Sequence, residues 1–373
     1  MSIAKKLARK ELVDMVPYQS ARRLYASSGA MQGKIWLNAN EASGPGTYQV
    51  NSDSINRYPD FQPESLINAY SQYCALAPEN ILATRGADEG IELIIRTFCR
   101  AYQDSILICP PTYGMYAISA ENHGADTITV PLTKELSLDI DGLKTQVGQA
   151  KVVFLCSPGN PTGNLLSQQE IKTTLEMFAD SAIVVVDEAY IEFSPEQSVS
   201  TWLDKYPHLV ILRTLSKAFA LAGLRCGFTL ANKDVITMLS KVIAPYPISA
   251  PVADIASVSL AKSGLEQMRI RVQETEILRA QLTLWLQQQS WCSQVFSSDA
   301  NFVLFRCKNK AIKDFIFNSL AEQGILIRDQ SKQQNLADCL RISIGSEREL
   351  SLLQQTIINS FTTTTAQAVA QEN

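Results

Sequence analysis

The sequence is poor in histidine and has no excess of positive charge. Its two histidines, His123 and His208, lie far apart without neighbours at metal-ligand spacing, so we predict no metal site. Lys and Arg total 33 against 37 Asp and Glu, a formal net charge of −4. Nucleic-acid binding needs a basic face. The charge therefore favours a small-molecule partner and no nucleic acid.

Paired cysteines and long apolar runs are also missing. The chain has eight cysteines, which include no C-x-x-C pair: Cys74, Cys99, Cys109, Cys156, Cys226, Cys292, Cys307 and Cys339. Several of them lie in short apolar segments such as "ILIC" and "VVFLC". No stretch approaches the roughly 18 consecutive apolar residues of a membrane helix. The opening "MSIAKKLARKELVDMVPY" lacks the apolar core of a signal peptide. We expect a cytoplasmic protein with reduced thiols and no membrane partner.

The composition and length are typical of a globular protein. Of its 373 residues, 46% are hydrophobic and 19% charged, and the length favours two domains. Apolar, β-branched runs alternate with helical patterns and predict buried strands at 105–110, 126–132, 151–158, 182–190 and 209–216. Ser167 with Glu170 forms a capping box before one of the helices. This order predicts an α/β domain with a mostly parallel sheet and helices on both faces.

The later part of the chain has a lower density of strands. After the proline-rich "APYPISAP" (244–251), helical spacing continues from about Val252 to Gln289. Two short strands, at 301–307 and 339–345, are each followed by a helix, which favours a smaller α+β domain. We predict these boundaries: an N-terminal arm with part of the small domain at 1–50, the large cofactor-binding domain at 51–248, the small domain at 249–360, and a disordered tail at 361–373.

Polar residues follow the predicted strands, where ligands bind in such sheets. The segment "RGADE" (85–89) enters a helix, whose first N–H groups can hold a phosphate. Alternatively it is an ordinary helix start capped by Asp88. Tyr113, directly after a buried strand, can stack on a flat ring or serve only in packing.

Two further strand ends carry Asn160 and Asp187. Asn160 lies in the proline- and glycine-rich turn "SPGNPTG", where an asparagine often bonds only its own backbone. Asp187 ends the apolar strand of "VVVDEAY", with Tyr190 three residues later. A buried carboxylate needs a cationic partner, which can be a ligand or a structural salt bridge.

Lys217 completes the set. It lies in "TLSKAFALAGLRCG" among small apolar residues, beside Ser216 and eight residues before Arg225. Burial and a nearby cation lower the pKa of such an amine and suit it to Schiff-base formation. A phosphate nest, a stacking ring, an anion, oxygen-binding donors and a lysine are together what pyridoxal 5′-phosphate requires.

The motifs as a set resemble those of the fold-type-I, class-II aminotransferases that depend on pyridoxal phosphate, and within them the histidinol-phosphate aminotransferase family. The similar segments span about residues 17–360: "LNANE" (37–41), "RYPD" (57–60), "RGADEGIELIIR" (85–96), "CPPTYGMY" (109–116), "CSPGNPTG" (156–163), "VVVDEAYIEF" (184–193), "TLSKAFALAGLRCG" (214–227), "APYPISAPVADIA" (244–256) and "LRISIG" (340–345). "SPGNPTG" alone indicates only the broader aminotransferase group.

The resemblance implies a role for each matching residue. Lys217, Asp187 and Tyr190 are the implied catalytic residues, with Lys217 forming the Schiff base. The implied cofactor contacts are Tyr58, Ala87, Asp88, Glu89, Tyr113, Asn160, Asp187, Tyr190, Thr214, Ser216, Lys217 and Arg225. The implied substrate contacts are Tyr18, Asn40, Tyr58, Arg328 and Arg341. Arg341 would bind the glutamate carboxylate and Arg328 the substrate phosphate, while Tyr58 would reach the site from the other subunit of a homodimer.

The implied reaction is ping-pong transamination between L-histidinol phosphate and 2-oxoglutarate, which gives imidazole-acetol phosphate and glutamate in histidine biosynthesis. Two alternatives stay open on sequence grounds. One is another enzyme on the same scaffold, such as an aromatic aminotransferase or a threonine-phosphate decarboxylase, which would keep Lys217, Asp187 and Asn160. The other is a non-enzyme that has kept the cofactor fold; we find no added interaction segment or lost core residue that would favour it.

Overall fold

The structure, a computed structural model, describes residues 35–44, 46, 48–49 and 55–371, together with residues 3, 7–9, 12, 15 and 16. The helices are α1 (Glu64–Cys74), α2 (Gly86–Phe98), α3 (Met115–His123), α4 (Ile140–Lys144), α5 (Gln168–Met177), α6 (Lys233–Ser240), α7 (Ala250–Ser259), α8 (Lys262–Gln287), α9 (Lys310–Glu322) and α10 (Glu347–Gln371). Among the described residues, no helix combines the length and apolar character needed to cross a membrane.

The strands form three sheets. They are β1 (Ile35–Trp36), β2 (Ile81–Thr84), β3 (Ser105–Ile108), β4 (Asp126–Thr129), β5 (Val152–Cys156), β6 (Ile183–Asp187), β7 (Leu209–Thr214), β8 (Gly227–Ala231), β9 (Cys292–Val295), β10 (Phe302–Cys307), β11 (Ile325–Leu326), β12 (Arg328–Asp329) and β13 (Cys339–Ser343). The largest sheet has seven strands in the order β2-β8-β7-β6-β5-β3-β4. Its strands from β7 to β4 pair in parallel, and β8 is antiparallel to both neighbours. The predicted mostly parallel sheet is confirmed.

Strand alternation gives the large sheet two apolar faces. In β5, Val153 and Leu155 belong to one core, which also contains side chains of α1, α5, α7 and α8. Val152 and Phe154 point the other way, into a core shared with α2, α3 and α6. Because successive side chains of a strand face opposite sides, a continuous apolar run is the pattern of a strand covered on both faces. Helices therefore cover this sheet on both sides, as predicted.

The C-terminal part contains a second core around an antiparallel sheet in the order β12-β13-β10-β9. A separate pair joins β1 in parallel to β11, with Ile35 opposite Ile325. Residues 35–36 thus contact the C-terminal part of the chain, although they precede the large sheet in sequence. The domain boundaries given above stay a prediction.

Two helices differ from the sequence-based expectation. The long helical run after residue 252 is broken into α7 and α8 at Leu260 and Ala261. Gly264 lies in the first turn of α8, where an added Cβ would come within 2.3 Å of the Ser259 carbonyl oxygen. The last helix, α10, continues to Gln371, past residue 361 where the sequence predicts a disordered tail. No proline or glycine interrupts 347–371, so the helical hydrogen bonds can continue.

The capping box of Ser167 and Glu170 is confirmed.

A cluster of buried charges lies on the face of the sheet that carries α1. Glu188, one residue after β6, is 1% exposed and its Oε2 lies 2.7 Å from a guanidinium nitrogen of Arg213. The Val199 N–H and the Ser198 hydroxyl also donate to Glu188, at 2.8 and 3.0 Å. Glu192 lies 3.8 Å from the same guanidinium, and burial raises its pKa to about 7. Arg213 is therefore the cation that compensates these buried carboxylates.

We predict that Arg213→Met destabilises the fold by about 3–5 kcal/mol, because it leaves the Glu188 carboxylate buried without its cation. Urea unfolding followed by circular dichroism measures the change. Arg269→Met is the matched control, since Arg269 pairs with Glu266 at 3.6 Å where both side chains are more than half exposed. Equal unfolding midpoints for the two variants would contradict the assignment.

Candidate active site

A cavity of about 570 Å³ opens at the carboxyl ends of the parallel strands, between the large sheet and the antiparallel sheet. The predicted site residues that line it are Asn40, Ala87, Asp88, Tyr113, Asn160, Asp187, Tyr190, Thr214, Ser216, Lys217, Arg225, Arg328 and Arg341. They come from segments spread over most of the described chain. The fold therefore brings together residues that the sequence analysis singled out separately.

Asp187 ends β6 and is 3% exposed. Its Oδ2 accepts a hydrogen bond from the Tyr116 hydroxyl at 2.6 Å, and its Oδ1 accepts one from the Ala189 N–H at 3.1 Å. Burial raises the pKa of this carboxyl to about 6, and the two hydrogen bonds act in the opposite direction. Asp187 forms no ion pair with any residue that the structure describes. The alternative of a structural salt bridge is therefore not observed, and the carboxylate can pair with a bound cation.

Lys217 follows β7 and is only partly exposed. Its Nζ donates to the Ala39 carbonyl at 3.3 Å and lies 5.6 Å from the centre of the Tyr190 ring. Burial, and then the charge of Arg341, lower the pKa of Lys217 to about 8. A lysine in this state reaches the neutral, nucleophilic form far more readily than one in water. This is the desolvated amine that the sequence analysis predicts.

The start of α2 and the residue Arg225 form a pocket for an anion. Ala87 and Asp88 lie in the first turn of α2, where backbone N–H groups have no partner within the helix. Arg225 donates to the Asp88 carboxylate at 3.1 Å and adopts a left-handed backbone with φ of 55°. Gly86 has φ of 78°, and a Cβ there would lie 2.9 Å from Arg225 Nη2. Glycine keeps this cradle open.

Hydroxyl groups surround the same pocket. Thr214 donates to Ser216 Oγ at 2.8 Å and accepts from the Ser216 N–H at 3.1 Å, which fixes both hydroxyls next to Lys217. Tyr113 donates to Asp88 at 3.0 Å, so its ring is held at the cavity wall. A ring in this place can cover one face of a planar ligand.

Amides and a guanidinium converge on the opposite wall. The Tyr190 hydroxyl accepts from Asn40 Nδ2 at 2.9 Å and from Asn160 Nδ2 at 3.3 Å. Arg341, in the centre of β13, donates to Asn160 Oδ1 at 2.5 Å and to the Asn38 carbonyl at 3.1 Å. Burial raises the pKa of Tyr190 well above its usual range, so its hydroxyl remains protonated and can donate to a ligand oxygen.

Two of the predicted residues that the structure describes, Glu89 and Tyr58, do not line this cavity. Glu89 accepts from the backbone and guanidinium of Arg85, at 2.6 and 2.8 Å, so its carboxylate caps α2 and does not face the cavity. Tyr58 is 81% exposed and stacks on Tyr246 with ring centres 4.5 Å apart. Tyr18 lies outside the described residues.

Other cavity residues escaped the sequence analysis. Gln330 and Gln333 follow β12 in a polar stretch without a recognisable motif, and Cys156 lies directly before the "SPGNPTG" turn. Tyr116 contacts Asp187 from α3, and the only signal in the sequence is its place three residues after Tyr113. No local pattern relates a helix residue to the strand end 71 positions later.

The residues present fit pyridoxal 5′-phosphate. The start of α2 with Arg225 offers an anion pocket, and Lys217 offers an amine of lowered pKa. Asp187 offers a buried carboxylate that forms no ion pair with a described residue. Tyr113 supplies a ring at the wall, and the Asn160–Tyr190 pair supplies donors for an oxygen. Each chemical group of this cofactor thus has a matching partner in one cavity.

Comparison with known proteins agrees with this geometry. A histidinol-phosphate aminotransferase of Colwellia psychrerythraea is 66% identical over 94% of this chain and 98% of its own length. One from Salmonella typhi is 52% identical over 92% of this chain and 93% of its own. The structure of a histidinol-phosphate aminotransferase from Sinorhizobium meliloti, in complex with pyridoxal-5′-phosphate, matches with a TM-score of 0.82 at 22% identity, covering 95% of this chain and 97% of that one. The family model "Aminotransferase class I and II" matches residues 32–357. The chain belongs to the class I and II aminotransferases and has their fold-type-I architecture.

Proposed function

We propose that this chain catalyses pyridoxal-phosphate-dependent transamination between L-histidinol phosphate and 2-oxoglutarate, a step of histidine biosynthesis. The observation that carries the proposal is the match, over nearly the whole length, to curated proteins of that activity at 52–66% identity. The cavity supports it, because it joins a cofactor site to two arginines suited to anionic substrates.

The residues that would hold the cofactor divide into four groups. Ala87, Asp88, Thr214, Ser216 and Arg225 surround the phosphate position. Asp187 would pair with the ring nitrogen, Tyr113 would cover the ring, and Asn160 with Tyr190 would donate to the ring oxygen. When bound, the cofactor supplies an electron-withdrawing ring that stabilises negative charge at the substrate Cα.

Lys217 and Asp187 do different work in the reaction. The ionised carboxylate of Asp187 would favour a protonated ring nitrogen in the bound cofactor, since opposite charges in a buried site stabilise each other. Lys217 would hold the cofactor at its aldehyde, and its Nζ, whose pKa is lowered, would be the base that moves the proton at the substrate Cα. Both half-reactions use the same cavity, so ping-pong kinetics are expected.

Arg341 and Arg328 are the proposed anchors for the substrates. They face each other across the β12–β13 ladder, so two guanidinium groups enter the cavity from neighbouring strands. Arg341 is 6% exposed and binds the carboxylate of glutamate, because a guanidinium forms two parallel hydrogen bonds with a carboxylate. Arg328 binds the phosphate of histidinol phosphate, with Asn40 nearby and Tyr18 as a further contact.

We propose a cytoplasmic homodimer with shared active sites. All eight cysteines are free thiols, in keeping with a reducing compartment. Tyr58 is 81% exposed in the single chain, although tyrosines usually bury most of their ring. In the proposed dimer, Tyr58 reaches the cofactor phosphate of the other subunit.

The purified enzyme is expected to transfer the amino group of glutamate to imidazole-acetol phosphate with ping-pong kinetics, and Lys217→Ala to lose most of this activity. A coupled assay for 2-oxoglutarate measures both. Threonine phosphate and aromatic 2-oxo acids are the comparison substrates. Carbon dioxide release from threonine phosphate, or faster turnover of an aromatic 2-oxo acid, would overturn the proposed substrate.

The charge of Arg341 is expected to keep the Lys217 amine reactive near neutral pH. In the cofactor-free protein, acetylation of Lys217 by acetic anhydride should follow a pKa of about 8. Arg341→Met removes a positive charge and should move this midpoint to higher pH, whereas Arg341→Lys keeps the charge and should leave it low. Mass spectrometry of the Lys217 peptide gives the midpoints. If both variants titrate like the wild type, Arg341 does not act on Lys217.

Mixing two inactive variants tests the shared site. If Tyr58 serves the partner, a mixed dimer of Lys217→Ala and Tyr58→Ala chains contains one site with both native residues, and mixing after mild dissociation should restore activity. Each variant remixed with itself is the control. Recovery no greater than in these controls would place Tyr58 in its own subunit's site or outside both.

A further inference from the structure

Tyr116 makes the shortest side-chain contact to Asp187. It lies in the first turn of α3, is fully buried, and its hydroxyl oxygen is 2.6 Å from Asp187 Oδ2. We propose that Tyr116 is a positioning residue that keeps the Asp187 carboxylate ionised and aimed at the ring nitrogen of the cofactor. This inference rests on the proposed pairing of Asp187 with that nitrogen.

The direction of the hydrogen bond follows from the surroundings of the hydroxyl. Burial and the charge of Asp187 raise the pKa of Tyr116 well above its usual range, so the hydroxyl keeps its proton. The neighbouring Cys156 thiol donates to the Pro158 carbonyl at 3.5 Å. The carboxylate is thus the acceptor for the Tyr116 proton. A donor to an ionised carboxylate stabilises the charged form over the neutral one.

Several other groups near Asp187 also shift the pKa of its carboxyl, either in the same direction as the Tyr116 hydrogen bond or in the opposite one. Burial is the largest influence on its pKa and favours the neutral acid. The charge of Asp88 acts in the same direction, whereas the Ala189 N–H and the charge of Lys217 favour the carboxylate. Cys156 and Tyr190 are protonated near neutral pH, because burial raises their pKa values. The side-chain hydrogen bond that offsets burial at Asp187 is therefore the one from Tyr116.

The ring of Tyr116 is held firmly enough to set an orientation. It stacks on Phe154 with ring centres 4.7 Å apart and meets Tyr113 edge to face at 5.7 Å. Phe154 lies in β5, next to the strand that carries Asp187. The hydroxyl thus has a fixed place relative to the strand end, and Tyr116 also links Asp187 to the ring proposed to cover the cofactor.

The chain provides a matched control for removal of this hydroxyl. Tyr70 is also fully buried and stacks on Phe228, but its hydroxyl has no hydrogen-bond partner among the residues that the structure describes. Tyr116→Phe and Tyr70→Phe therefore remove the same atom from two fully buried tyrosines that each stack on a phenylalanine. Only the first removes a donor to Asp187.

The test compares both variants with the wild type before and after cofactor loading. In the cofactor-free protein, infrared difference spectra across a pH series follow the Asp187 carboxyl, which is assigned by its loss in Asp187→Asn. In Tyr116→Phe, the Asp187 carboxyl should titrate at higher pH than in the wild type. The variant should also bind pyridoxal phosphate about tenfold more weakly, as expected for loss of one hydrogen bond to a charged group. The acid limb of its kcat/KM profile should move to higher pH. Tyr70→Phe should change none of these.

The proposal is overturned if Tyr116→Phe matches the wild type in carboxyl titration and cofactor affinity, or if Tyr70→Phe shifts both by the same amount. Thermal unfolding of each variant identifies a general loss of packing. The carboxyl titration does not depend on any substrate. A wild type that fails to use histidinol phosphate would therefore refute the proposed function while leaving this comparison interpretable.

Discussion

The site depends on a buried carboxylate at the end of a central strand. The last residue of β6 and the residue after it point to opposite faces of the sheet, and each carries a carboxylate. On one face, Glu188 is neutralised by Arg213 and bonded by backbone and hydroxyl donors. On the other, Asp187 has hydrogen bonds but no ion pair among the described residues. The sheet thus satisfies one charge and leaves the other for a ligand.

Burial shifts the pKa values of Asp187 and Lys217 in opposite directions. Removal from water disfavours the charged form, so it raises the pKa of Asp187 to about 6 and lowers that of Lys217 to about 8. Near pH 7 the carboxylate is still largely ionised, and the amine can lose its proton at small cost. Burial of both groups in one cavity therefore favours an anion and a nucleophilic amine together, provided that hydrogen bonds prevent Asp187 from becoming neutral.

Much of this site could be predicted because its parts follow strands. Asp187, Asn160 and Lys217 each lie at or just after an apolar run, and the carboxyl ends of parallel strands gather at one edge of a sheet. The pattern of apolar runs also predicted the covered sheet. Local sequence was enough because each inference needed only a strand, its end and a polar residue.

Other contacts could not be predicted, because they join distant segments or depend on side-chain direction. The Asn40 N–H donates to the Ser343 hydroxyl at 2.8 Å although the two residues are 303 positions apart, and no periodicity encodes that pairing. Glu89 fits the phosphate motif in sequence, yet its carboxylate turns back to Arg85. The extension of α10 through a threonine-rich segment likewise shows that helix propensity alone is a weak guide to where a helix ends.

The short segment of residues 38–40 connects the two halves of the site. Its carbonyl groups accept from Arg341 and from Lys217, while Asn40 bonds both Tyr190 and Ser343. It therefore contacts the large sheet's loops and the antiparallel sheet at once.

This arrangement couples Arg341, the proposed substrate anchor, to the proposed cofactor environment. Arg341 Nη1 donates to Asn160 Oδ1, and the amide nitrogen of Asn160 donates to the Tyr190 hydroxyl. A carboxylate that binds Arg341 competes with Asn160 for the same guanidinium donor, because a carboxylate is the stronger acceptor. The proposed binding of a substrate carboxylate at Arg341 would thus act on the amide and hydroxyl proposed to hold the cofactor oxygen. After burial, the charge of Arg341 is the next largest cause of the lowered pKa of Lys217, so neutralisation of this charge by the proposed substrate carboxylate would raise the basicity of the amine proposed to move the Cα proton.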